Sequence, residues 1–61
     1  MKIKLFGRNK EVSSRKVKKL IEELKLNKEI ILVVKNGEIV LEDEAFSEKD
    51  DVRIIKVISG G

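Results

Sequence analysis

The chain opens with a strict alternation, Met1-Lys2-Ile3-Lys4-Leu5-Phe6, that sends Ile3 and Leu5 to one side and Lys2 and Lys4 to the other. Period two is the repeat of a strand, so the spacing predicts a first strand with one apolar and one wet face. Gly7, Arg8 and Asn9 supply turn chemistry, and Lys10 to Ser13 can return as a short second strand carrying Val12 inward, which makes a hairpin. From Ser14 the period lengthens. Val17, Leu20, Ile21 and Leu24 recur at i, i+3, i+4 and i+7, the apolar stripe of a helix of about three turns. Ser13 or Ser14 is placed to cap its free amides, Asn27 to end it in the left-handed conformation, and Leu26 to fold back on the core.

Glu29 to Lys35 is a β-branched run whose unbroken apolarity predicts a strand covered on both faces, or one whose second face meets a partner. Asn36-Gly37 favours a type I′ turn because both residues accept positive φ, and Glu38 to Leu41 supplies the returning strand. Glu42 to Asp51 is acidic and irregular, with Ala45 and Phe46 expected to form a short helical turn that drops one aromatic into the core. Val52 to Ile58 reads as a last strand, with Val52, Ile54 and Ile58 on one face and Ile55 and Val57 on the other. Apolar residues on both faces are the mark of a central strand, so this one belongs in the middle of the sheet beside the first. The expected fold class is α+β, a ubiquitin-like β-grasp: a mixed sheet of four to five strands covered on one face by one helix. The domain spans 1–58, and 59–61 is a flexible Ser-Gly-Gly tail.

Sixty-one residues leave room for one small domain, since chains of this size bury only roughly 60% of the surface they expose when unfolded. The longest apolar run, Ile30 to Val34, is far short of the roughly 20 residues of a membrane span, which leads us to expect a soluble, cytoplasmic protein. There is no Cys and no His, so disulfides, soft metal ligands, a thiol nucleophile and an imidazole base are all missing. Eleven carboxylates remain, most of them beside lysines, and none is framed by the apolar surroundings that raise a catalytic acid's pKa. The chain is therefore not expected to be an enzyme, nor to bind a metal or cofactor. A net charge of +3 is mildly basic, but Phe6 and Phe46 are the only aromatics available for base stacking, so nucleic acid is not an expected partner.

Two terminal glycines arise by chance about once in two hundred chains at the usual glycine frequency of roughly 7%. Their setting gives the pair meaning: Gly60-Gly61 follows directly on the most apolar strand, so a rigid body would present a side-chain-free peptide ending in a carboxylate. A carboxylate is a poor electrophile until activated, and glycines fit the narrow channel that an activating enzyme needs in order to bring the last carbon to ATP. The helix Val17-Lys18-Lys19-Leu20-Ile21-Glu22-Glu23-Leu24, the hairpin Asn36-Gly37-Glu38-Ile39-Val40 and the ending Asp51 to Gly61 together resemble the sulfur-carrier β-grasp proteins, the ThiS/MoaD-like family related in fold to ubiquitin. Length and the Asn-Gly-Glu hairpin look more like the thiamine-biosynthesis carrier than the molybdopterin-synthase small subunit.

The resemblance implies that an E1-like enzyme of the ThiF or MoeB type adenylates the Gly61 carboxylate, using ATP that the enzyme binds, and that a sulfur donor then converts it to a thiocarboxylate. Gly60 and Ser59 would thread the tail, and an acceptor enzyme would take the sulfur for thiamine, molybdopterin or tRNA thiolation. The carrier itself would be a monomer when free. Two alternatives stand beside this reading. Some relatives join the same terminus to lysines of other proteins, and β-grasp modules also bind RNA, here through Lys2, Lys4, Lys10, Lys16, Lys18 and Lys19. A third, an adaptor that pairs through a strand edge, is opposed by the charged Lys and Glu at the edges. Leu41-Glu42 stands where thiamine carriers often have Pro-Arg, and Lys49-Asp50-Asp51 where they commonly have Gly-Asp. For partner docking the expected residues are Phe6, Val34 and Ile55 on the outward sheet face, with Lys18 and Lys19 at the basic end of the helix steering an acidic partner.

Overall fold

The structure is a computed structural model that describes residues 1–57; Ile58, Ser59, Gly60 and Gly61 lie outside the described residues. Its elements are β1 (Lys2–Leu5), β2 (Arg8–Glu11), α1 (Val17–Leu24), β3 (Ile31–Lys35), β4 (Glu38–Val40) and β5 (Val52–Lys56). They form one mixed sheet in the order β2-β1-β5-β3-β4, with β5 in the centre, parallel to β1 and antiparallel to β3. One helix and five strands in this order make the expected α+β, ubiquitin-like β-grasp fold.

Alternation explains the core. Ile3, Ile31, Val33, Val52 and Ile54 all point to the helix side and are buried there with Val17 and Leu20 of α1, Val12 and Phe46. Ile21, Leu24 and Leu26 pack against this cluster, so the predicted helix stripe is the buried one. Phe46 reaches the core from an irregular segment, not from a helical turn. The chain there makes two tight turns, with Glu44 N–H donating to the Leu41 carbonyl and Asp50 N–H to that of Ser47, and Ala45 bridges to Lys16.

Several boundaries move, each for a local reason. The first hairpin closes at Phe6-Gly7, with φ of 51° and 84°, so Leu5 pairs with Arg8 and β2 begins two residues before its expected start. Glycine-led reasoning misses this because a bulky residue takes a left-handed φ only under strain. Val12 lies just past β2 and is buried, tied by its N–H to the Met1 carbonyl at 2.7 Å. Neither Ser13 nor Ser14 caps the helix. Lys16 occupies the cap position with no side-chain bond, while the amides of Val17 and Lys18 donate to the carbonyls of Glu44 and Glu42, both at 3.0 Å. The two serines instead donate to the Glu23 carboxylate. At the other end Lys25, with φ of 55°, takes the left-handed position expected of Asn27, and the Asn27 side chain accepts from the Glu29 amide. β3 starts at Ile31, β4 stops at Val40 and β5 stops at Lys56.

Candidate functional site

Residues paired across neighbouring strands lie on the same face of a sheet, so the register maps the face that the helix leaves bare. Leu32 stands opposite Ile55, Val34 opposite both Arg53 and Ile39, and Lys4 beside Arg53. The bare face therefore has an apolar half, Leu32, Val34, Ile39 and Ile55, and a basic half, Lys2, Lys4 and Arg53. At the end of β5 the apolar half continues, because Val57 N–H donates to the Ile30 carbonyl at 2.7 Å and both side chains are exposed. Ile39 is 62% exposed, and Ile55 45%, beside an Ile54 that is 1% exposed on the covered face.

Phe6 sits at the β1–β2 turn, where its N–H donates to the Ile54 carbonyl at 3.0 Å, and Lys56 Nζ lies 5.9 Å from the centre of its ring. A cation over an aromatic face at an exposed site is worth about 0.5–1 kcal/mol. This places an exposed aromatic at the point where β5 ends and the chain runs on toward Gly60 and Gly61. Of the expected docking residues, Val34 and Ile55 thus share the bare side, while Phe6 is exposed at the β1–β2 turn beside Lys56. Val57 joins Ile55 there as the alternation predicts, and Leu32, Ile39 and Ile30 belong with them and were not named for docking. Their signal was the same unbroken apolarity of 30–34 and 54–58, which announces a second face without saying whether protein or solvent covers it.

Lys18 and Lys19 lie elsewhere, on the outer surface of α1. Lys19 pairs with Glu22 at 3.9 Å, and Glu23 is turned toward Ser13 and Ser14. The 41–48 segment supplies carboxylates near both ends of the helix: Arg15, before its start, meets Glu48 at 3.1 Å, and Lys28, after its end, meets Glu42 at 2.9 Å. The bond to Lys28 holds the Glu42 carboxyl below its ordinary range, with nearby Lys18 adding to the effect. A groove of about 220 Å³ opens between α1 and β3–β4, and Lys28 and Glu42, the charged residues at its mouth, are engaged with each other.

The lysines of the RNA reading separate in the same way. Lys2 and Lys4 face the bare side, Lys10 pairs with Ile3 and so points to the other, and Lys16, Lys18 and Lys19 belong to the helix and its entry. Phe46 is buried and unavailable for stacking. No helix among the described residues is long and apolar enough to cross a membrane. The expected adenylation and thiocarboxylate site, Gly61, and the threading residues Gly60 and Ser59 lie outside the described residues. Residues 3–61, and so the terminal glycines as well, match the model of the ThiS family.

Proposed function

The chain belongs to the ThiS family of small carrier proteins, and from that premise we propose that it carries sulfur on its own C-terminus. A carboxylate oxygen of Gly61 attacks the α-phosphorus of ATP held by an E1-like enzyme, pyrophosphate leaves, and an acyl adenylate forms. The outer sulfur of a donor persulfide then attacks the acyl carbon and AMP departs, leaving an acyl disulfide; a second thiol of the sulfur-transfer enzymes attacks the donor's inner sulfur, forms a disulfide with it and releases the thiocarboxylate. The carrier is a co-substrate consumed and regenerated in each cycle. Gly60 and Ser59 supply the slender approach, while recognition rests on a surface remote from the reacting atom.

The observation that carries this reading is that the family match runs unbroken through Gly60 and Gly61. The bare sheet face supports it physically: Ile55, Leu32, Val34 and Ile39 form a contiguous apolar island in register. An apolar island rimmed by polar groups is the usual form of a protein-docking surface. Sulfur destined for a thiamine-type thiazole is the reading we favour over molybdopterin or tRNA thiolation, on the length of the chain and its Asn36-Gly37-Glu38 hairpin.

Intact-mass measurement tests the proposal. The chain is incubated with ATP and the host's E1-like enzyme, then with its sulfur donor. The expected products are an adenylate adduct and then a species in which one oxygen has been exchanged for sulfur, both abolished by deletion of Gly61. An unmodified mass with an enzyme proven active on another carrier overturns it, and recovery of lysine-linked conjugates instead moves the assignment to a protein modifier.

A further inference from the structure

Asn36-Gly37 is the most chemically labile dipeptide in the chain. Glycine offers no side chain to shield its amide nitrogen, and that nitrogen can attack the neighbouring side-chain amide carbon. In the structure the Asn36 side chain is occupied at both ends. Its Nδ2 donates to Asp50 Oδ1 at 2.9 Å, its Oδ1 accepts from the Asp51 N–H at 2.9 Å, and its own backbone N–H donates to the Asp51 carbonyl at 2.8 Å. Asp50 is fixed in turn by the Ser47 N–H at 2.7 Å, and Lys35 Nζ, bonded to Glu44 at 3.0 Å, stands 3.9 Å away. The arrangement requires an amide: one end must donate to a carboxylate while the other accepts from a backbone N–H.

We propose that Asn36 is a fold-protected deamidation site, held as the amide by its double bond to the Asp50–Asp51 segment and converted to the acid when that clamp opens. In the reaction the Gly37 nitrogen loses its proton to solvent base and bonds to Asn36 Cγ. The Cγ–Nδ2 bond breaks, ammonia leaves, and a five-membered imide remains. Water then opens the imide at either carbonyl, giving Asp or isoaspartate at position 36, so one water is consumed for each ammonia released. The product cannot restore the clamp. A carboxylate at position 36 faces the carboxylate of Asp50 with no donor between them, and isoaspartate also lengthens the backbone inside a two-residue turn. Since the clamp lies beside the Lys35–Val52 pair that begins the β3–β5 register, conversion loosens the head of the central strand.

The test follows the mass gain of amide-to-acid exchange and maps it to Asn36 by peptide analysis, at mildly alkaline pH. In the folded chain conversion should be on the order of a hundredfold slower than in the same chain under denaturant, because local opening sets the rate. Asp50→Ala removes a charge-assisted bond and should speed the folded chain about tenfold, whereas Asp50→Asn, which keeps an acceptor, should stay near wild type. Equal rates in folded and denatured wild type overturn the proposal, as does a folded D50A that converts at the wild-type rate. If D50A does not fold, wild type still decides. Below the unfolding transition its conversion must rise with urea in parallel with hydrogen exchange of the Asp51 amide, and a rate indifferent to urea refutes the clamp.

Discussion

Ile54 and Ile55 are neighbours in the central strand, identical in chemistry and opposite in fate. Ile54 is 1% exposed under the helix, and Ile55 is 45% exposed on the bare side. The same contrast runs along β3, where Ile31 and Val33 are buried while Leu32 and Val34 are left half-covered. One face of the sheet is filled by α1, Val12 and Phe46, and its residues account for the folding of the domain. The other face carries apolar side chains that contribute much less to folding, in a chain with little surplus core. Hydrophobicity placed where it does not hold the fold together is best explained by a partner, which is why the bare face, more than any pocket, bears on function.

The largest effect belongs to the covered face. Leu20 is fully buried at the centre of the helix stripe, and Leu20→Ala should cost about 2–5 kcal/mol through lost burial and the cavity left behind. A domain this small has little more than that in total, so urea titration followed by circular dichroism should find the variant largely unfolded. A variant within about 1 kcal/mol of wild type would mean that the helix does not seal this face.

Which residues reach which face is fixed by the turns, since a one-residue slip would exchange the two sets. Gly37 has φ of 86° with open space where a Cβ would stand, so Gly37→Ala introduces backbone strain without a clash. The expected cost is about 1 kcal/mol, read as a lower midpoint at unchanged urea slope. A changed slope would point instead to a shifted register and a mixing of the two faces.

Much of this was legible in the sequence. The period-two and period-3.6 patterns gave the order of elements, the central place of β5, the buried helix stripe and the Asn36-Gly37 turn, because in each case the signal is local. What was not legible depends on partners distant in the chain. The helix start is satisfied by carbonyls of Glu42 and Glu44, which no inspection of Ser13 and Ser14 reveals. Glu23 is drawn away from Lys19 by those serines, and the first turn closes on Phe6, a residue that propensity places elsewhere. The bare face was half legible: Val34 and Ile55 were named for it, but Ile39 joins them only through its pairing with Val34.

A smaller effect distinguishes the surface ties from both faces. Glu23, held by the Ser14 hydroxyl and the Ser13 amide, and Asp50, held first by the Ser47 amide and then by Asn36, have carboxyls lowered from 4.5 and 3.8. Their contributions are complete above those values and are lost as pH falls through the still lower folded-state values. Lys35 and Lys28, raised above 10.5 by bonds to Glu44 and Glu42, contribute fully below 10.5 and lose that contribution as pH climbs through the folded values. The melting temperature should therefore be flat between these limits and fall gently on either side. Because Glu23 and Lys28 are solvent-exposed and Asp50 and Lys35 only partly covered, the limbs should be shallow, and Glu23→Gln should flatten part of the acid limb. A steep transition near neutrality would contradict this assignment.

The smallest effect on stability should accompany the largest on recognition. Ile55→Lys places a charge at the centre of the bare face, on a side chain that is 45% exposed, so the folding free energy should move by only about 0.5 kcal/mol, mostly through strand propensity. If that face docks an activating enzyme, the same substitution buries an unpaired ammonium at the core of the interface and should weaken binding by roughly a hundredfold, the loss typical of a central apolar anchor. Titration calorimetry with the E1-like enzyme measures the affinity, and adenylation at saturating carrier measures the chemistry. The affinity should fall while the saturated rate holds, because on this proposal Ile55 acts in docking and not on the Gly61 carbonyl carbon. Unchanged affinity would place recognition on another surface, with Lys18 and Lys19 on the outer side of α1 next to be tested. The contrast between Ile54 and Ile55 would then concern solvent exposure only, and the apolar half of the bare face would need a different explanation.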